Sequence, residues 1–303
     1  MAPRGRSDLS IPVLDEGDAM SAVSLVDPLL TVGPIWLVGL ILIAACLLAR
    51  ELGSLLFRYL GKPKPGESKE DEEGKDEGDL VGTTFGLLAF VLAFTFSIAL
   101  DRFDTKRTLV GEEANAIGTT YRRADLYDEP VRSQMQQTLR EYARTRVVAA
   151  GTSDAAIEQL AAQSRALREK FWDEARIAIF PVRDTERGSY LVEATNEMIE
   201  VGNRREVAGR SHVPSRILDV SLVYLLSCAG LLGYLRARKG GGRQGSTVVL
   251  VLFVFVIMLI LDIDSPRNGT ILVPQRAMED MVNSLDALAA QPVPTLASPV
   301  GQP

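Results

Sequence analysis

Few residues in this chain combine a reactive type with a useful spacing. Glu112 and Glu113, with Asn115 beside them, come nearest to an acid/base set. Adjacent carboxylates on a helix point about 100° apart, so these two do not converge on one substrate atom. Solvated helix charge accounts for them better. Asp219 lies roughly one turn inside an apolar run, where an ionisable residue is a functional candidate by position. Pairing with Arg216, or exposure at the interface, is the competing account. His212 is the only histidine, which excludes a site built on two. Cys46 and Cys228 both fall in apolar segments and read as buried free thiols. The acidic run Asp71-Glu72-Glu73 sits among Gly, Pro and Lys and reads as linker charge. The stretch from Gly240 to Gly245 is spaced like a phosphate-binding loop, but Ser246 stands where the lysine should be. No catalytic, metal or cofactor site is therefore expected, and the chain does not read as an enzyme.

The elements that would position these residues are apolar helices. Four segments are long and apolar enough to cross a ~30 Å hydrocarbon layer: 34–57, 80–100, 215–235 and 246–262. The expected architecture is all-α: a polytopic membrane protein with four transmembrane helices. An antiparallel helical bundle, 101–214, is inserted between the second and third. An acidic tail precedes the spans (1–33), and a charged linker, 58–79, joins the first two. A basic loop, 236–245, joins the last two. A tail, 263–303, carries one short amphipathic helix over Arg276 to Ala289. With a net charge of -6, the chain has no nucleic-acid signature. The lipid bilayer is its first expected partner.

The stretch from Leu80 to Ala124 organises the rest. Its apolar first half continues into a charged second half with no proline between them, which predicts one helix leaving the membrane and entering the bundle. Helical spacing separates two stripes within the span. One holds Thr84, Leu88, Val91, Thr95 and Arg102; the next holds Phe85, Ala89, Leu92, Phe96, Ala99 and Phe103. Two readings of the threonines stand: bonding to their own helix backbone, or lining a polar path.

In the bundle, Val110, Ala114, Ile117 and Tyr121 predict one buried face. Asp128 is the expected N-cap of the next helix and Gly151 its C-terminal stop. Thr152-Ser153-Asp154 caps another helix, whose seam runs Ile157, Leu160, Ser164, Leu167, Phe171, Ala175 and Ala178 until Pro181. Asp184 opens the last. Arg50 and Glu51, near the end of the first span, are expected to snorkel to water.

Orientation follows from basic residues in the short segments. Arg58, Lys62, Lys64, Lys69 and Lys75 mark the linker, and Arg236, Arg238, Lys239 and Arg243 the short loop. This places both in the cytoplasm and the bundle outside, for a multi-pass protein of the bacterial cytoplasmic membrane.

The run FGLLAFVLAFTFSIALDRFDTKRTLVGEEANAIGTTYRRADLYDEPVRSQMQQTLREYARTRV resembles the core of a bacterial bestrophin-like membrane family of unknown function. The run LDIDSPRNGTILVPQRAMEDMVNSL resembles that family's C-terminal signature, a turn followed by a strand-like stretch and a short helix. The resemblance implies similarity to bestrophins, pentameric chloride channels with four spans per subunit, the second lining the pore and the large domain in the cytoplasm. Carried onto this chain, the pore-lining or gating residues would be Thr84, Phe85, Leu92, Thr95 and Phe96, with Arg102, Lys106 and Arg107 at a mouth attracting inorganic anions. Two functions follow: a membrane-anchored helical interaction or sensor module, suggested by the seam and the lack of a chemical constellation, or a homo-oligomeric anion channel.

Overall fold

A computed structural model of the chain describes residues 34–60, 70–149, 151–239, 243–264 and 270–291. The described residues form eight α-helices and no strand. They are α1 (Ile35–Leu60), α2 (Glu70–Ala124), α3 (Val131–Thr145), α4 (Asp154–Ile179), α5 (Glu186–Arg210), α6 (Ser215–Lys239), α7 (Arg243–Asp264) and α8 (Arg276–Ala289). A single 3₁₀ turn, Phe180–Val182, carries Pro181 and closes α4. The all-α architecture with four helices able to span a membrane is the one the sequence implies.

At 1.5 Å per residue the 55-residue α2 is about 80 Å long. It is the one helix that contributes to both hydrophobic cores. Its Leu88, Leu92 and Ala99 join Leu42 and Cys46 of α1, Leu225 and Cys228 of α6, and Leu250 and Ile260 of α7 in the membrane half. Its Val110, Ala114, Ile117 and Tyr121 join Met135, Tyr142, Phe171, Leu191 and Met198 in the bundle.

Close backbone approach welds α1 to α6. A Cβ on Gly53 would stand 1.9 Å from the Gly230 carbonyl oxygen, and one on Gly233 would stand 1.8 Å from that of Arg50. Only glycine permits this, as small residues do wherever membrane helices pack tightly. The same contact encloses Arg50. Its side chain does not snorkel: it is buried and donates to Thr247 Oγ1 of α7 at 2.6 Å and to Glu51 at 2.9 Å.

Several expected boundaries shift. Glu70 to Asp79 belong to α2, so the helix begins inside the expected linker, whose residues 61–69 lie outside the described set. The basic loop is mostly helix, because α6 runs to Lys239 and α7 starts at Arg243. Asp128 is not the N-cap of α3. Pro130 holds that position, without a side-chain cap bond. Gly151 does not stop α3, which ends at Thr145; with φ of 74° it turns the chain just before α4. There Ser153 caps as expected, accepting from Ala156 N at 3.3 Å. The amphipathic α8 forms where predicted but docks onto the bundle. Met278 and Leu285 are buried, and Met281 packs so close to Gly118 of α2 that a Cβ there would lie 2.7 Å from it. The strand-like stretch expected before it is irregular over 272–275. The 1–33 tail lies outside the described residues.

Candidate functional site

Phe85, Leu92, Thr95, Phe96 and Arg102, singled out along the second span, all pack within the chain's own helices. Leu92 and Thr95 are buried, and the Thr95 hydroxyl donates to the Val91 carbonyl of its own helix at 2.8 Å. Phe85 stacks at a tilt on Phe253 of α7, 5.4 Å between ring centres, and the Thr84 carbonyl accepts from the Tyr224 hydroxyl of α6 at 3.2 Å. Phe96 packs against the membrane core. Arg102 donates to the Ser211 hydroxyl at the α5–α6 junction, and Lys106 is buried. Of the expected cationic mouth, only Arg107 is exposed. Asp219 is half-buried on α6, one turn from the helix start.

The opposite face of α2 is uncovered from Leu87 to Thr108. Leu87, Phe90, Phe94, Ser97, Asp101, Asp104 and Thr108 recur at alternating steps of three and four, and all are exposed. Gly82 and Gly86 open onto the same side, with nothing within 4 Å of a Cβ built on either. The exposed faces of α1 and α7 are richer in aliphatic side chains: Leu40, Leu48, Leu52, Val248, Val251 and Leu252, with Phe255 among them. On α2 small and hydroxylated residues alternate with phenylalanines, a composition suited to another helix or a narrow path.

A second constellation lies in the bundle. Glu113 falls on the buried face of α2, three residues after Val110 and four before Ile117, and it is fully buried. It accepts from the Tyr142 hydroxyl at 2.6 Å, Arg146 Nε at 2.7 Å and Arg205 at 2.7 Å. Arg205 also reaches the Arg146 carbonyl and the Gln275 side chain, tying α5 to the segment before α8. Burial opposes ionisation of the Glu113 carboxyl. The two guanidiniums and the phenol outweigh it and hold the group below the usual carboxylate range. Solvated charge therefore describes Glu112, which is exposed and meets Arg204 at 3.2 Å, but not Glu113. Glu113 shares the helical stripe of Val110 and Ile117, and that position was the available signal for its burial.

Beside this knot lies a cavity of about 530 Å³. It is walled by Lys106 and Val110 of α2, by Thr145, Arg146, Val148, Ala149 and Thr152, by the start of α4, the end of α5 and Leu272 to Gln275. Among the described residues no group of His, Cys, Asp and Glu is placed to hold a metal ion.

The model of the bestrophin-like domain matches residues 54–278, from the end of α1 to the first turn of α8. The chain belongs to the bestrophin-like family. No curated protein matches this bestrophin-like chain in sequence. Two crystal structures of variants of a bacterial bestrophin homologue from Klebsiella pneumoniae share its fold. One aligns at 14 % identity with a TM-score of 0.60, covering 83 % of this chain and 98 % of that one. The other aligns at 15 % identity with a TM-score of 0.59, covering 85 % and 99 %. A further crystal structure, described as a membrane protein, gives 0.58 at 14 % identity, covering 84 % and 99 %. At such identities the likeness establishes the fold and no shared chemistry.

Proposed function

We propose that this bestrophin-like protein assembles as a homo-oligomer around α2 and conducts small inorganic ions along the path its α2 faces enclose. The observation that carries this reading is the uncovered α2 face. It runs unbroken from the membrane into water, and its composition suits neighbouring subunits better than lipid. Phe90 and Phe94 stand one turn apart on it, 6.4 Å between ring centres. Repeated around an axis, such side chains would form a dry constriction, which gates by dewetting. The lining role then belongs to Leu87, Phe90, Phe94 and Ser97, on the side of the helix away from Thr84, Phe85, Leu92, Thr95 and Phe96. Inorganic anions are the permeant class that membership of the family suggests. Arg102 and Lys106 do not supply the positive mouth, because they face inward.

Planar-bilayer recording of the purified protein, with its subunit number measured in lipid nanodiscs, tests the proposal. Unitary conductance from an oligomer is expected. A monomer, or an oligomer silent across voltages and salts, overturns it.

The sensor reading keeps one specific support, the cavity beside the Glu113 knot. Because α2 belongs to both cores, a ligand held there would act on the same helix that lines the path.

A further inference from the structure

We infer that the bundle cavity is a binding site for a small amphipathic monocarboxylate. Its volume of about 530 Å³ is in the range of ~300–1,000 Å³ typical of small-molecule sites. The lining combines charged and apolar side chains. Arg146, one of them, gives Nε to Glu113, while its two Nη groups make no hydrogen bond with the described residues. The side chain is only 11 % exposed. A guanidinium withdrawn from water normally fills its donors, and a planar carboxylate is the acceptor that fits its fork.

Glu113 is shared by two guanidiniums, Arg146 and Arg205, so neither has a carboxylate to itself. Lys106 and Arg210 also line the cavity, against Glu158, Glu206 and Glu279. The lining carries no surplus of positive charge to hold a doubly charged phosphate, whereas one carboxylate needs only the unfilled donors of Arg146. Val148, Ile157, Leu160, Ala161 and Leu272 add hydrocarbon to the lining. A carboxylate with a short apolar chain suits both the guanidinium and the hydrocarbon.

The site spans elements that Glu113 and Arg205 already connect, so occupancy would tighten α5 and the segment before α8 against α2. This inference does not depend on conduction, and its test reads binding alone.

Full-length protein in nanodiscs is titrated calorimetrically with octanoate. Saturable binding at one per subunit is expected. Octanol, which lacks the charge, should bind about tenfold or more weakly, the loss expected for a hydrogen bond to a charged group. Ala161→Trp fills part of the cavity and should weaken octanoate binding by a similar factor. Ala149→Trp, on the exposed edge of the cavity, serves if that variant does not fold. Butanoate and palmitate arms separate a water-borne acid from an acyl chain drawn from the membrane. Octanoate heat that does not saturate overturns the inference. So does octanoate binding that octanol equals, or that both tryptophan variants leave unchanged.

Discussion

Glu113 of α2 and Arg205 of α5, ninety-two residues apart, meet at 2.7 Å where the carboxylate is fully buried. The pair joins the helix that leaves the membrane to the helix that returns to it. Because Arg146 and Tyr142 share the same carboxylate, its loss strands three partners. Glu113→Gln should therefore cost roughly 3–5 kcal/mol, the usual penalty for leaving buried charge unmatched. Glu112→Gln removes an exposed pair worth no more than about 1 kcal/mol. Thermal unfolding of the two variants in detergent is the measurement. Equal losses would show that the knot does not hold the bundle.

The same carboxylate predicts an acid limit. Its folded pKa is depressed, so the unfolded chain binds the proton more tightly. The stabilisation is complete above the ordinary Glu value of about 4.3 and is lost as pH falls through the depressed value. Wild type should lose unfolding temperature below about pH 4.3 more steeply than Glu113→Gln, in which that proton is gone. Parallel acid slopes would remove Glu113 as the cause.

How much of this is legible in the sequence depends on the range of the interaction. Helix α2 is legible because an apolar run of spanning length passes into an unbroken 3.6-residue pattern. The α4 seam is legible for the same reason, and Ser164, Phe171, Ala175 and Ala178 are indeed buried. The Glu113 knot is half legible. Its stripe position signals burial, but the guanidiniums that make burial tolerable come from positions 146 and 205. The two stripes of the second span illustrate another limit. Periodicity separates faces without saying which one packs, and Leu92 and Thr95 lie on the packed side. The docking of α8 was hidden too, since an amphipathic pattern does not name the surface it covers.

Helix α1 and helix α6 test the membrane half. Gly233→Ala adds one methyl directly over the Arg50 carbonyl, and Gly53→Ala adds one over that of Gly230. Backbone cannot yield as a flexible side chain can, so the helices must separate. Each substitution should cost roughly 1–3 kcal/mol, the range for overpacked cores. Gly86→Ala, which meets nothing within 4 Å, is the control within one subunit. Thermal unfolding in matched detergent checks the order. A Gly86→Ala loss seen only in the oligomer would add support to α2 as the subunit interface.

Asp101 and Asp104 follow Phe94 and Ser97 along the uncovered face, while Arg102 and Lys106 are turned inward. If α2 lines the path, these carboxylates repel anions at its exit. Asp101→Asn with Asp104→Asn should then move the reversal potential in a chloride gradient toward the chloride equilibrium potential. Arg107→Gln should move it the opposite way. Arg102→Ala should leave selectivity nearly unchanged, because its charge faces Ser211. A larger selectivity shift from Arg102→Ala than from the aspartate pair would place the path on the other face of α2.

The side of the membrane that holds the bundle can be decided by one thiol. Both native cysteines are buried within spans, so background labelling is low. Gly151 is exposed in the turn between α3 and α4, but its positive φ would strain a cysteine placed there. Ala155 is exposed in the first turn of α4 and carries no such strain. The basic residues flanking the 58–79 and 236–245 segments predict that Ala155→Cys reacts in intact cells with a membrane-impermeant maleimide. Labelling only after lysis would put the bundle in the cytoplasm. The clusters of Arg and Lys would then lie on the translocated side, and the inward-facing Arg102 and Lys106 would count among the residues retaining the domain.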